Sequence, residues 1–229
     1  MQRVRALAIL LAVLCFKCAL AAPFAVQVGE ARIALDTPPG YSDTTFTGSP
    51  RLQELSEMLT SASNRILLFA ISDADLRRFT VGDTPELRRY MMAVTPKSVE
   101  RERATPAIFQ RVIEDVRREL GVPAPEGADY GDYLAGQSPG LTVLLSELRK
   151  EPSVVSFLQG TRLPPSRRAP LFGPEEKPQF LLSSTTFLLV RGKTLQLSVY
   201  SQYDSSVDVD WIRGITTRWV EDLQRLNHR

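Results

Sequence analysis

Residues 136–140 read GQSPG, which matches the G-x-S-x-G nucleophile elbow of hydrolases. An elbow needs a strand before its serine and a helix after it, and the residue after the serine must donate a backbone N–H to the oxyanion hole. Here the segment before Ser138 is rich in glycine and proline, and the next residue is Pro139, which has no N–H. The general base is missing as well: His228, next to the end of the chain, is the single histidine. A serine–lysine pair of the S-x-x-K kind fails too, because Val94, Glu147, Pro174 and Val190 stand three residues before Lys97, Lys150, Lys177 and Lys193. The pentapeptide is read as a turn, and no catalytic residue is assigned.

The carboxylates give three further groupings. Asp204, Asp208 and Asp210 suggest calcium, but the D-x-D-x-D-G spacing and the distal glutamate of a calcium loop are missing. Helix capping accounts for Asp208 and Asp210. Asp73 and Asp75 could form an acid–base pair or be ordinary loop carboxylates. Asp129-Tyr130 and Asp132-Tyr133 could make an acidic, aromatic patch for a cationic partner or lie on a solvated loop. Trp219 reads as a core anchor, and Trp211 as a residue at the edge of the same helical stripe. The arginine doublets at 77–78, 88–89, 117–118 and 167–168 alternate with acids and read as solvated faces. There is no G-x-G-x-x-G, and Gly192-Lys193 lacks the upstream glycine of a phosphate loop. No cofactor or metal is assigned.

These residues sit on a chain of 229 residues that opens with a basic MQRVR, an apolar run from Ala6 to Phe16 and the small residues Ala19-Leu20-Ala21. That is the pattern of a secretory signal peptide over 1–21, cut between Ala21 and Ala22. The apolar run is about half the ~20 residues of a bilayer span. Cys15 and Cys18, the only cysteines, fall inside it. Leu14 and Lys17 are too bulky to precede a lipidated cysteine, so the leader is not read as that of a lipoprotein. The mature chain of residues 22–229 has no thiol or disulfide chemistry and must be held together by its core. At ~200 residues it can bury roughly 70% of its unfolded surface. Arg3, Arg5 and Lys17 leave with the leader, so 25 basic residues face 26 acidic ones. Near-neutrality argues against a nucleic-acid partner bound through bulk charge, and no later stretch is apolar enough to span a membrane.

Two short strands, 24–28 and 31–35, flank Gly29-Glu30 as a hairpin. Ser49-Pro50 and Thr105-Pro106 each open a helix, with a hydroxyl at the cap and proline at the first turn. The first carries Leu52, Leu55 and Leu59; the second carries Ile108, Phe109, Val112, Ile113, Val116 and Leu120 and ends at Gly121. Residues 65–71 and 89–95 read as buried strands joined by a polar connection. Residues 121–140 and 161–179 read as irregular loops, and 141–149 as either strand or helix. Phe180 to Val190, a turn at Gly192-Lys193 and the strictly alternating Thr194 to Tyr200 make a second hairpin. A final helix follows, with Ser205 and Asp208 at its start and Ile212, Ile215, Trp219, Leu223 and Leu226 on one face lying across the sheet.

Strands in hairpins interrupted by separate helices predict one α+β domain: an antiparallel sheet with helices packed on it, closed by a hairpin and a long amphipathic helix. The closing unit, with Tyr200 on the last strand and Trp219 on the last helix, resembles that of PsbP-like domains, and Pro38 to Tyr41 is similar to their opening turn. The chain also resembles secreted bacterial proteins of unknown function with this organisation. The resemblance leaves out the loops at 121–140 and 161–179. It implies a non-enzymatic accessory role in the periplasm or envelope, binding a protein or envelope component. The alternative is a small-molecule carrier or a carboxylate-dependent enzyme with a pocket near the C-terminal helix. Mass spectrometry of the protein from the periplasmic fraction should find Ala22 as the first residue; an intact leader retained in membranes would remove the assignment of compartment.

Overall fold

A computed structural model describes residues 23–165 and 177–228. The leader with its Ala21/Ala22 cut, and most of the 161–179 loop, lie outside the described residues. The α+β expectation holds. Among the described residues, nine strands run in the order β1 (Phe24–Val28), β2 (Ala31–Leu35), β3 (Tyr41–Asp43), β4 (Asn64–Ser72), β5 (Arg89–Pro96), β6 (Thr142–Glu151), β7 (Val154–Arg162), β8 (Phe180–Val190) and β9 (Lys193–Tyr203). Strands β1 and β2 form a separate hairpin. The other seven form one sheet in the order β3-β4-β5-β9-β8-β7-β6, with every pairing antiparallel.

The hairpin β8–β9 is the centre of the sheet because alternation gives each of its faces a partner. Leu195, Leu197 and Val199 are at most 1% exposed. They pack beneath α5 (Ser206–Asn227), whose Ile212, Ile215, Trp219, Val220 and Leu223 join the same core. The helix runs along this hairpin rather than across the sheet. Its first turn meets β5 through Asp208 and Arg89, its middle meets β8 through Thr216 and Ser184, and its end meets the β8–β9 turn through Asn227 and Arg191. The Trp219 indole N–H donates to the Asp36 carbonyl at 2.8 Å. The Asn227 side chain accepts from the Ala34 N–H at 2.9 Å and donates to the Ala34 carbonyl at 2.8 Å. A side-chain amide thus stands in for a neighbouring strand on β2.

Three other helices cover the far face. The helices α1 (Pro50–Met58) and α2 (Asp73–Thr80) lie over Phe69, Tyr90 and Met92, and α3 (Pro106–Leu120) lies over Val155 and Phe157.

Several expectations need correction. The polar connection after β4 holds α2, which opens on Ser72: its hydroxyl accepts from the Asp75 N–H at 3.0 Å and donates to the Asp75 carboxylate at 2.9 Å. The loop at 121–140 is not wholly irregular. It contains α4 (Tyr130–Ala135), capped by Asp129, which accepts from the Asp132 N–H at 3.0 Å. Residues 142–151 are the strand β6, and β7 extends to Arg162, inside the expected second loop. The last hairpin turns at Arg191-Gly192, where φ is 50° and 72°, and Lys193 is buried on β9 with its ammonium on the Glu100 carbonyl at 2.9 Å. Ser49 stands before α1 but its hydroxyl makes no capping bond.

The seat of α4 is Gly160 on β7. A Cβ there would lie 2.7 Å and 2.9 Å from the two methyls of Leu134, and 3.1 Å from a Leu145 methyl. Gly160→Val should lift α4 and cost about 1–3 kcal/mol, the usual penalty of overpacking, read as a lowered melting temperature. An unchanged melting temperature would show that α4 is not anchored here.

An acidic cleft at the head of the last helix

The start of α5 is fixed by charge. The Asp208 carboxylate accepts from the backbone N–H groups of Asp204 at 3.0 Å and Ser205 at 3.2 Å, and pairs with Arg89 at 2.8 Å. Burial alone would raise its pKa, but these hydrogen bonds and the guanidinium outweigh it and hold the pKa below the usual carboxylate value. The Arg89 guanidinium also lies 4.1 Å from the Trp211 ring centroid, a cation–π contact. Tyr41 packs against the same indole, 6.3 Å from Trp211, and burial, its largest influence, raises its hydroxyl to about 12. Trp211 is therefore half-buried at the stripe edge, as its position suggested, and Trp219 is a core anchor at 1% exposure.

Beside this cluster the chain leaves a seam. The segment Pro123–Tyr130 crosses β6 and is pinned there by the Ala124 N–H on the Leu144 carbonyl at 3.0 Å. Between this segment, β6 and the first turns of α5 lies a cleft of about 580 Å³. Tyr130 and Tyr203 supply aromatic surface. Glu126, Asp129, Glu147 and Asp210 supply carboxylates, against the single guanidinium of Arg213. Glu147 is paired with Arg117 at 2.6 Å, and Asp129 caps α4. Glu126 and Asp210 have no ion pair among the described residues. Arg213 donates to the Tyr130 hydroxyl at 3.3 Å. The hydroxyl oxygen of Ser146, which also lines the cleft, is buried without a hydrogen-bond partner among the described residues. Tyr203 registers the local field: burial raises its pKa first, and the charges of Asp129, Asp208 and Asp132 raise it further.

The groupings noted in the sequence separate here. Asp129 and Tyr130 reach the cleft with Asp210, which lies beyond the first turn of α5 rather than within it. Asp204 instead pairs with Arg88, and no group of three ligating side chains able to hold a metal occurs among the described residues. Asp75 accepts from the Glu86 N–H at 2.8 Å and Asp73 from the Ser42 hydroxyl at 2.7 Å, so each carboxylate is engaged in a structural hydrogen bond. Ser138 is exposed, after a helix and before a strand, which reverses the order an elbow needs. Glu126, Ser146 and Tyr203 carry no sequence signal; the chain's path over β6 brings them together.

No protein-family model matches the chain, and no curated protein matches it. Among solved structures, the Ran-binding protein Mog1p of Saccharomyces cerevisiae is 12% identical, with 91% of this chain and 94% of that one covered and a TM-score of 0.35. A point mutant of Mog1 gives 13% identity, the same coverage and the same TM-score. Likenesses of this degree establish neither fold nor function.

Because the folded pKa of Asp208 lies below its unfolded value, its contribution is complete above the unfolded pKa and fades as pH falls through the folded one. Asp208→Asn should therefore cost stability at pH 7, by about 1–3 kcal/mol for hydrogen bonds to a charged group. The difference from wild type should shrink in acid. A pH-independent difference would mean that the carboxylate charge plays no part.

Proposed function

We propose that the protein is a periplasmic or secreted binding protein without catalytic chemistry of its own, which holds a lysine or arginine side chain of a protein partner in the acidic cleft. The charge imbalance of the cleft carries this reading: with Glu147 paired to Arg117, the carboxylates of Glu126, Asp129 and Asp210 and two tyrosines still converge on it against the one guanidinium of Arg213, in a chain whose overall charge is close to zero. A cation held against the face of a tyrosine ring gains a cation–π term of ~0.5–1 kcal/mol at an exposed site. Each exposed carboxylate adds ~0.2–1 kcal/mol. Such sums support reversible capture, in keeping with an accessory role. The volume of the cleft also lies in the roughly 300–1,000 Å³ range of small-molecule sites, which favours a small cationic ligand as the second reading.

Thermal unfolding at low ionic strength tests both. Tetralysine should raise the melting temperature of the wild type, and the shift should vanish in Glu126→Gln/Asp210→Asn and in 1 M salt, where screening shortens the Debye length to about 3 Å. Spermidine acting where tetralysine does not would favour the carrier. No shift with either cation, or an equal shift in the double variant, would overturn the assignment of the cleft.

A further inference from the structure

At the other end of the sheet, the outer edge of β4 is paired for only part of its length. Strand β3 meets Ala70–Ser72. The same chain then serves one residue more: the Thr44 N–H donates to the Phe69 carbonyl at 2.8 Å, and the Asp43 carboxylate accepts from the Phe69 N–H at 3.1 Å. There it turns away, with the Thr47 N–H on the Thr44 carbonyl at 3.2 Å. From Asn64 to Leu68 no strand among the described residues lies on this side of β4. The line along which β3 would have continued is a cleft of about 700 Å³, bounded by α1, the loop that starts at Thr44 and Asn64–Ile66.

The ladder with β5 decides which backbone groups face that cleft. The Lys97 N–H donates to the Ser63 carbonyl at 2.9 Å, and the register runs unbroken from Asn64 to Ile66. Alternation then turns Arg65 toward β5, and Asn64 and Ile66 away from it. The Asn64 N–H agrees, leaving the sheet for the Ser61 carbonyl at 2.9 Å. The N–H and C=O of Ile66 therefore point into the cleft, and among the described residues neither has a partner there. A backbone donor and acceptor held side by side are what an incoming strand needs.

The walls set the kind of strand. The Ile66 side chain packs with the cluster that holds Leu52, which is 2% exposed and also lines the cleft. A residue paired directly opposite Ile66 in an antiparallel ladder puts its side chain on that same face, against Leu52. Glu57 and Lys97 also line the cleft, and neither is in an ion pair among the described residues. One carboxylate and one ammonium together give a partner no net charge to match. The register shift between Ile66 and Leu68 ends the regular edge, so a short segment fits and a long flat pairing is opposed. We infer that the free edge of β4 takes an uncharged, extended peptide segment of a partner protein as an added antiparallel strand. Its backbone bonds to Ile66 and its apolar side chain lies against Leu52, the mode in which main-chain bonds give affinity and a side-chain pocket gives selectivity.

The probe is a short acetylated and amidated peptide of alternating valine and threonine, added to the full chain and followed by amide hydrogen exchange. Without it, the Ile66 amide should exchange at least tenfold faster than that of Phe69; with it, exchange at Ile66 should slow at least tenfold. A valine placed against Leu52 turns its own N–H toward β4. N-methylation of the valine amides should therefore abolish the protection, and N-methylation of the threonine amides should spare it. Asp210→Asn, in the acidic cleft, should change neither result. No protection of Ile66, or an equal effect of the two methylations, would overturn the inference. So would protection that rises with protein concentration in the absence of peptide, which would give the edge to a second copy of the chain.

Discussion

A helix is about 10 Å wide, and strands in a sheet are spaced by about 4.8 Å, so one helix shields about two strands. A seven-stranded sheet with two apolar faces cannot be closed by α5 alone. The length of α5 is well matched to the hairpin it covers. Its 22 residues at 1.5 Å give about 33 Å, close to the roughly 37 Å of the 11-residue strands beneath it. The strands to either side need their own covers. On the α5 face these are the hairpin β1–β2 and, over β7 and β6, α4 with its preceding segment. Covers laid side by side leave seams. The acidic cleft is the seam between α5 and the α4 segment; another cleft, of about 700 Å³, lies between α1 and Asn64–Ile66 of β4.

The central elements were legible because their patterns are uninterrupted. Thr194 to Tyr200 alternates without a break, and the apolar positions of α5 and α3 recur at helical spacing. The edges were not. Strand β6 carries register shifts between Leu144 and Ser146 and between Glu147 and Arg149, and each shift resets the alternation by which a strand is recognised. That is why 141–149 reads equally as strand or helix. Helix α4 has six residues within a glycine- and proline-rich stretch, and its one local sign is the capping pair Asp129 and Asp132. Helix α2 is announced by Ser72 and Asp75 alone, since most of its surface is polar. Lys193 reads as a turn residue until the backbone carbonyls at 100 and 102 are seen around its ammonium.

The acidic cleft was legible only in part for the same reason. Asp129, Tyr130 and Asp210 stand out as residue types, but their meeting depends on the path of 123–130 across an edge strand, which no local pattern specifies. Asp208 shows the opposite case. Its position after Ser205 signals a helix start, and the structure adds Arg89 from a strand more than a hundred residues away, so that one carboxylate fixes both the helix terminus and the placement of the guanidinium on Trp211.

The amide of Asn227 on the backbone of Ala34 spans 193 positions of sequence. The first hairpin of the described chain is therefore completed by the last turn of the last helix. The contact closes a loop of nearly two hundred residues and is costly in loop-closure entropy, so this lock between hairpin and helix forms only when both are already in place.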